Sequence, residues 1–318
     1  MKKILMAAIL FLLLATIDVS YQIQTTVYAK TSSTQSLVDK QLAVVKKQKI
    51  SGYKFYEAYP VKFTGKDIPE IVVSSYGFEK GTDIIDKSLL QVYQYDKTKK
   101  KWKVVKKFIS KNEMYTYRPL GFITKGKLLD DKKEQLVVGH IWGSDFSLTP
   151  IVYGSTDGKT IKTLIPAGSK GFVDGTAIIK NKELFFVDFL STVSERYVYK
   201  KGKFVRYKGT GADDRKIVGK AKHILMLEKR NGTSHLIGNK NIKMKVGESF
   251  SIIRKNKTDS STYISRLYAS PSVIPGRGGP LENIGGALKA VKPGKFEMGI
   301  LLEDTFGPAP NIQITVVK

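Results

Sequence analysis

The sequence predicts an all-β protein in which antiparallel β-meanders are followed by a β-sandwich. From Tyr53 to about Tyr207, runs of four to eight residues rich in Val, Ile, Tyr and Phe are separated by turns of Gly, Asp, Asn and Lys. After residue 219 the pattern changes, and about seven further strands follow within roughly 100 residues, a number and length typical of a sandwich. The chain of 318 residues is long enough for two domains with separate cores.

Residues 1–29 have the pattern of an export signal. Lys2 and Lys3 precede an apolar run, Ile4 to Ile17, and Val27-Tyr28-Ala29 supplies a cleavage site. The run of about 14 residues is shorter than the roughly 20 that a helix needs to cross a bilayer. We therefore predict a cleaved signal peptide, with an uncleaved anchor as the alternative. The expected location is secreted or associated with the cell envelope.

The chain contains no cysteine. This excludes disulfides, thiol catalysis, Cys-ligated zinc and a lipoprotein anchor, which needs a Cys at the cleavage site. An exported chain without disulfides points to a bacterial source.

Residues 30–52 predict a Ser/Thr-rich lead and then a short helix. Thr34 or Ser36 can cap this helix, and it is expected to end near Lys47 to Ile50. Apolar residues recur at near-helical spacing: Leu37, Val38, Leu42 and Val45. Whether the helix packs on the first domain is left open.

A β unit recurs within residues 53–208. An apolar pair, a polar turn and a hydrophobic strand follow one another at Val61 to Val73, at Lys127 to Val138 and, more faintly, at Ala177 to Phe189. Each copy is followed by a strand that contains tyrosine. The region therefore predicts three units of four strands, and Asp157-Gly158 is its strongest hairpin signal because that pair tolerates positive φ.

At the segments EIVV, QLVV and ELFF, this region resembles the FG-GAP or integrin-alpha-like repeat of extracellular β-propellers. The resemblance implies propeller-like β-meanders. It departs from the family at the calcium loop, because the matching turns read TGKDIP and DDKKEQ and lack acidic residues at alternate positions. Three units are also fewer than the four blades of a closed propeller. The alternatives are a partial propeller, an open stack of meanders or an irregular β domain.

Residues 209–219 are polar and contain glycine, and they predict a linker. In residues 220–318, the segments KVGESFSI, VKPGKFEMGI and ITVVK resemble bacterial Ig-like domains, which implies an Ig-like β-sandwich. Two adjacent acidic pairs, Asp130-Asp131 and Asp213-Asp214, have basic neighbours, and we expect both to be solvated turns.

The formal net charge is +26 for the whole chain, and both halves are basic. A charge spread in this way predicts diffuse electrostatic association with an anionic cell-wall polymer or a membrane surface. Nucleic acid is not expected as a partner, because the predicted compartment is wrong for it and no recognition motif is present. A protein partner could bind through loops of the C-terminal domain.

No catalytic residue, metal ligand or cofactor is predicted, since the chain contains no nucleophile elbow, P-loop or zinc-binding histidine group. The candidate ligand contacts are Trp142 and Asp145, near His140, together with Arg277 and Phe306 in two C-terminal loops. The leading hypothesis is a non-enzymatic binding or adhesion protein of the cell envelope. The alternatives are an envelope enzyme acting on polysaccharide or peptide, and a secreted protease inhibitor.

Overall fold

The computed structural model describes residues 33–82, 84–142, 147–168, 172, 175–188, 192–269, 280–284, 286–303 and 311–318. For residues 111–118, 141, 142, 265–269 and 283 it describes the backbone alone. Within these ranges the chain forms twenty β-strands and two helices, α1 (33–47) and α2 (Gly211–Val218). The predicted all-β class is confirmed.

The first seven strands form one antiparallel sheet in sequential order. They are β1 (Lys54–Val61), β2 (Glu70–Phe78), β3 (Ile85–Asp96), β4 (Lys101–Gly126), β5 (Gln135–Trp142), β6 (Ser147–Gly154) and β7 (Lys162–Ile165). Strand β4 has 26 residues; it pairs with β3 as far as Thr116 and with β5 from Thr116 onward. The first half of β4 thus completes a first unit with β1 to β3, and the second half begins a second unit with β5 to β7.

The third unit is a separate antiparallel sheet. Its strands are β8 (Thr176–Lys180), β9 (Glu183–Asp188), β10 (Thr192–Lys200) and β11 (Lys203–Lys208). A turn lies at Asp157-Gly158, where the sequence predicts it, and others lie at Asn181-Lys182 and Lys201-Gly202, with positive φ at Asn181, Lys182, Lys201, Gly202 and Gly158. All the predicted strands are present. The predicted last strand of the first unit and first strand of the second are parts of one continuous strand, β4.

The three units stack face to face, and alternate residues of their central strands face opposite neighbours. Val72 of the first unit shares a buried cluster with Val138 of the second. Val137, the next residue along β5, instead packs with Leu184 of the third unit. Central strands buried on both faces are continuously apolar, which explains the runs EIVV, QLVV and ELFF.

The stack is open, and other elements cover both of its ends. Val38 and Val45 of α1 pack against Ile71 and Val73 of the first unit. The question of whether this helix packs is thereby settled, although Thr34 and Ser36 lie inside the helix and do not cap it. At the other end, the third unit packs against α2 and β15. None of the described sheets closes into a barrel, and the resemblance to propeller repeats stays a prediction.

The segment predicted as a linker forms α2 at the junction with the C-terminal sheets. Asp213 and Asp214 are only 4% and 0% exposed, so the expectation of a solvated turn at this pair is wrong. The cause is tertiary, because Arg196 and Arg254 approach these carboxylates from β10 and β15. The last turn of α2 contributes two residues to the junction cluster: Ile217 and Val218.

The C-terminal region is a β-sandwich, as predicted. Its strands are β12 (His223–Arg230), β13 (Thr233–Ile237), β14 (Asn241–Lys245), β15 (Ser249–Arg254), β16 (Ile264–Ala269), β17 (Leu281–Asn283), β18 (Leu288–Ala290), β19 (Gly294–Leu302) and β20 (Asn311–Val317). One sheet has the order β13-β12-β15-β18-β17 and the other β14-β20-β19-β16. Leu225 and Ile252 of the first share a core with Phe296 and Ile314 of the second. The assignment to Ig-like domains stays a prediction.

Candidate anion-binding face

A buried polar side chain closes the first turn of each of the first two units. Glu70 is fully buried at the start of β2, and its carboxylate accepts hydrogen bonds from Thr64 Oγ1 (2.5 Å) and Gln94 Nε2 (2.9 Å). Gln135 occupies the same place in the second unit, and its Oε1 accepts a hydrogen bond from the N–H of Leu128 (2.5 Å). Each turn thus folds around an acceptor at the start of the strand that follows. This role explains the Glu or Gln that precedes the apolar run.

Aspartates close the second turns of the same two units. Asp96 Oδ1 accepts hydrogen bonds from the N–H groups of Lys99 and Thr98, both at 3.1 Å, and the bond from Lys99 is the main cause that lowers the pKa of this carboxyl. Asp157 Oδ1 accepts bonds from Thr160 and Lys159, both at 2.8 Å, which lower its pKa in the same way. Both carboxylates are ionised, and each one accepts hydrogen bonds from the backbone of its own turn.

Contacts between turns bring the three units together at one face, and within each unit an antiparallel meander returns every second turn to the same end of the sheet. The N–H of Lys62 donates to Glu134 Oε2, and the N–H of Glu134 donates to the carbonyl of Lys62, both at 2.8 Å. Lys182 Nζ of the third unit lies 3.1 Å from Asp131 Oδ1 of the second. We call this surface the turn face; it comprises residues 62–69, 96–101, 127–134, 155–161, 180–183 and 200–203.

The turn face concentrates positive charge. Its 37 residues contain fifteen lysines, no arginine and seven carboxylates, a net charge of +8. The other 119 residues of the region 53–208 contribute only +4. Thirteen of the turn-face lysines are exposed: Lys62, Lys66, Lys97, Lys99, Lys100, Lys101, Lys127, Lys132, Lys159, Lys182, Lys200, Lys201 and Lys203.

The carboxylates on this face are engaged, whereas many of the lysines are not. Asp130 Oδ2 lies 2.9 Å from Lys133 Nζ, and Glu183 Oε1 lies 2.6 Å from Arg196 Nη1. Several exposed lysines have no carboxylate partner among the residues that the structure describes: Lys66, Lys99, Lys132, Lys159 and Lys201. Within the described residues, the turn face therefore has an excess of exposed positive charge over its own carboxylates.

The structure does not test the four predicted contact residues. Asp145, Arg277 and Phe306 lie outside the described residues, and Trp142 ends β5 with its side chain outside them. The concentration of lysines at the turn face was not predicted from the sequence, where the charge was interpreted as diffuse, and diffuse association with an anionic polymer stays a prediction. The sequence does show lysines in each of the six turn segments, but it does not show that these turns lie together on one face.

His140, next to the predicted loop contacts, is a buried residue between the first two units. It is 8% exposed, and its Nε2 lies 3.3 Å from Ser110 Oγ. Burial lowers the pKa of His140 to about 4, so the imidazole is neutral at pH 7. In the described part of the chain no carboxylate orients this ring through Nδ1. Within the described residues, the Ser110–His140 pair has no third group of the kind that a hydrolytic triad contains.

The sandwich has a shallow groove of about 590 Å³, lined in part by the end of β12 and the loop after β15. Its charged groups satisfy one another. Lys255 Nζ lies 2.5 Å from Glu228 Oε2, and the hydroxyl of Tyr263 donates to Asp259. The groove consequently presents little unpaired charge to a ligand.

Within the described residues, no group of three or more His, Cys, Asp and Glu side chains is placed to hold a metal ion. The helices in those ranges are too short or too polar to span a membrane. No protein-family model matches the chain, and no curated protein matches it.

Proposed function

We propose that the protein is an exported, non-enzymatic binding protein of the bacterial cell envelope that associates with anionic surface polymers. The turn face is the observation that carries this proposal. Salt screens exposed charges over about 8 Å at physiological ionic strength, so the attraction acts close to the face. Single exposed charge contacts are weak, each contributing about 0–1 kcal/mol. Binding therefore depends on many lysines acting together.

Export is supported by the signal-like pattern of residues 1–29. Acidic polymers are the abundant partners in the envelope, and a chain of net charge +26 is attracted to them. Mass spectrometry of the mature protein is expected to find Lys30 at or near the N-terminus. Retention of Met1 in mature material would contradict the cleavage.

Retention on purified cell wall tests the binding. The fraction of wild-type protein retained is expected to fall steeply as salt rises from low ionic strength. Any single Lys→Gln change is expected to have little effect on this retention. Two variants with the same change in charge separate the turn face from general basicity. The turn-face variant is Lys66→Gln/Lys99→Gln/Lys132→Gln/Lys201→Gln, and the matched control in the sandwich is Lys240→Gln/Lys243→Gln/Lys289→Gln/Lys292→Gln.

The turn-face variant is expected to elute at clearly lower salt than the control. Equal loss in both variants would mean that the charge acts diffusely over the whole surface. Binding that survives high salt and is abolished by one substitution would reveal a specific pocket elsewhere.

A further inference from the structure

We propose that the ligand of the turn face is a linear polyanion long enough to lie across all three units. We also infer that affinity for this face depends on the charge and length of the polymer and not on whether its anionic groups are phosphates or carboxylates. The inference rests on the proposed function, because it specifies which anions the same face would bind.

The length requirement follows from the stacking of the units. Packed sheets lie about 10 Å apart, so the turns of the first and third units are separated by roughly 20 Å. A small anion reaches lysines of one unit only. A chain that spans the three units adds further contacts within one molecule, and such linkage raises affinity by about 10² to 10⁴ without any new kind of contact.

The turns hold one another in place before a ligand arrives. Lys133 Nζ lies 2.9 Å from Asp130 Oδ2 and donates to the carbonyl of Thr156 at 3.1 Å, so this lysine ties together the two turns of the second unit. Its side chain is only 17% exposed. The contacts of Glu134 to Lys62 and of Asp131 to Lys182 link the row of turns across the units, the second of them weakly because both of its side chains are exposed. Fixed positions reduce the ordering cost of binding.

The lack of chemical discrimination follows from the residue types. All fifteen cations of the turn face are lysines. The lysine ammonium is a point charge, whereas the planar guanidinium of arginine forms bidentate hydrogen bonds to phosphate or carboxylate. The sole aromatic residue in the six segments is Phe63, which is 1% exposed. Base stacking, the usual source of affinity for single-stranded nucleic acid, therefore has no platform here.

Four defined polyanions test the inference: tripolyphosphate, long-chain polyphosphate, polyglutamate and oligothymidylate, the last three with similar numbers of charges. Titration calorimetry on the full mature chain at two salt concentrations gives the affinities. Long-chain polyphosphate is expected to bind at least about 100-fold more tightly than tripolyphosphate. Polyglutamate is expected to bind within about tenfold of polyphosphate, because unselective electrostatic contacts dominate.

Variants that neutralise one unit at a time test the span. They are Lys66→Gln/Lys99→Gln, Lys132→Gln/Lys159→Gln and Lys201→Gln/Lys203→Gln, for the first, second and third unit, with Lys240→Gln/Lys292→Gln in the sandwich as control. Each turn-face pair is expected to weaken long-chain binding and to lower the slope of log K against log salt by roughly 1.4–1.8, since each lysine contact contributes about 0.7–0.9. The control is expected to leave both unchanged, and circular dichroism verifies that all variants are folded.

Three results would overturn the inference while leaving anion binding intact. These are equal affinity for short and long polyphosphate, loss of binding confined to one unit, and oligothymidylate binding much more tightly than polyphosphate. If the wild-type protein binds none of the four polyanions, the proposed function fails as well.

Discussion

Asp214 and Arg254 form a buried, bidentate ion pair that joins three parts of the molecule. Arg254 Nε lies 2.8 Å from Asp214 Oδ2, and Nη2 lies 2.6 Å from Oδ1. The same two side chains also bind the backbone of Val193 in β10. Asp214 accepts a hydrogen bond from the Val193 N–H (2.8 Å), and Arg254 donates one to the Val193 carbonyl (2.7 Å). Arg254 Nη1 also donates to the carbonyl of Gly209 (3.1 Å). The third unit, α2 and the sandwich therefore meet at one buried polar cluster, in which the Asp214 and Arg254 side chains are hydrogen-bonded to each other and to the surrounding backbone.

Removing either partner of this pair is expected to destabilise the protein strongly. Asp214→Asn leaves the Arg254 guanidinium buried without its counter-charge, a change that typically costs about 3–5 kcal/mol. The control is Asp131→Asn, which breaks the exposed pair with Lys182 and is expected to cost less than about 1 kcal/mol. Urea unfolding of the two variants measures the difference. Equal costs would show that the buried pair does not stabilise the junction.

Residues 221–318, expressed alone, are expected to fold as a β-sandwich that unfolds cooperatively on heating. The reason is that both sheets of its core come from this segment. In isolation Arg254 no longer meets Asp214, so Arg254→Met is expected to cost much less there than in the whole chain. Circular dichroism of both forms, with and without the substitution, makes the comparison. A disordered product would contradict the predicted domain boundary.

The strands were predictable because their burial is encoded locally. Val137 and Val138 are both apolar, since each faces a neighbouring unit, and the sequence shows that directly. The continuity of β4 was not predictable, because Pro119 and Gly121 have the pattern of a break, whereas register shifts absorb them within the strand. The burial of Asp214 depends on Arg254, a partner 40 residues away along the chain, and no local pattern signals it.

The candidate site was only partly predictable, for a similar reason. The lysines of each turn are visible in the sequence, and so is the overall positive charge. Their convergence depends on the meander order and on contacts such as that between Lys182 and Asp131, which connect turns that are distant in sequence. The sequence therefore predicts an anionic partner, and the structure adds where the charge is concentrated.

Gln135→Met is expected to destabilise the second unit. The substitution keeps much of the volume but removes the oxygen that accepts the N–H groups of Leu128 and Leu129. A buried donor left without a partner costs about 1–3 kcal/mol. Gln35→Met on the exposed surface of α1 is the matched control, and we expect it to change stability by less than about 0.5 kcal/mol. Urea unfolding distinguishes the two, and equal effects would contradict a role for Gln135 in closing its turn.

His140 is expected to make stability depend on pH in the mildly acidic range. Burial lowers its pKa from 6.5 to about 4. Between these values the unfolded chain binds a proton that the folded protein does not, so stability rises with pH through this window and is lost as the pH falls. A shift of this size corresponds to at most about 3 kcal/mol.

The comparison of wild type with His140→Gln isolates this contribution. The glutamine variant does not titrate at this position, so its stability is expected to fall less than that of the wild type between pH 6.5 and 4. Carboxylates whose pKa is lowered, such as Asp96 and Glu248, begin to lose their stabilising effect as the pH falls through their ordinary pKa values of 3.8 and 4.5, and they do so in both proteins. The difference between the two unfolding free energies, measured by urea at each pH, therefore reports His140 alone. If the unfolding free energies of the two proteins change with pH in parallel, the folded protein does not hold the His140 imidazole neutral by burial, and the prediction is contradicted.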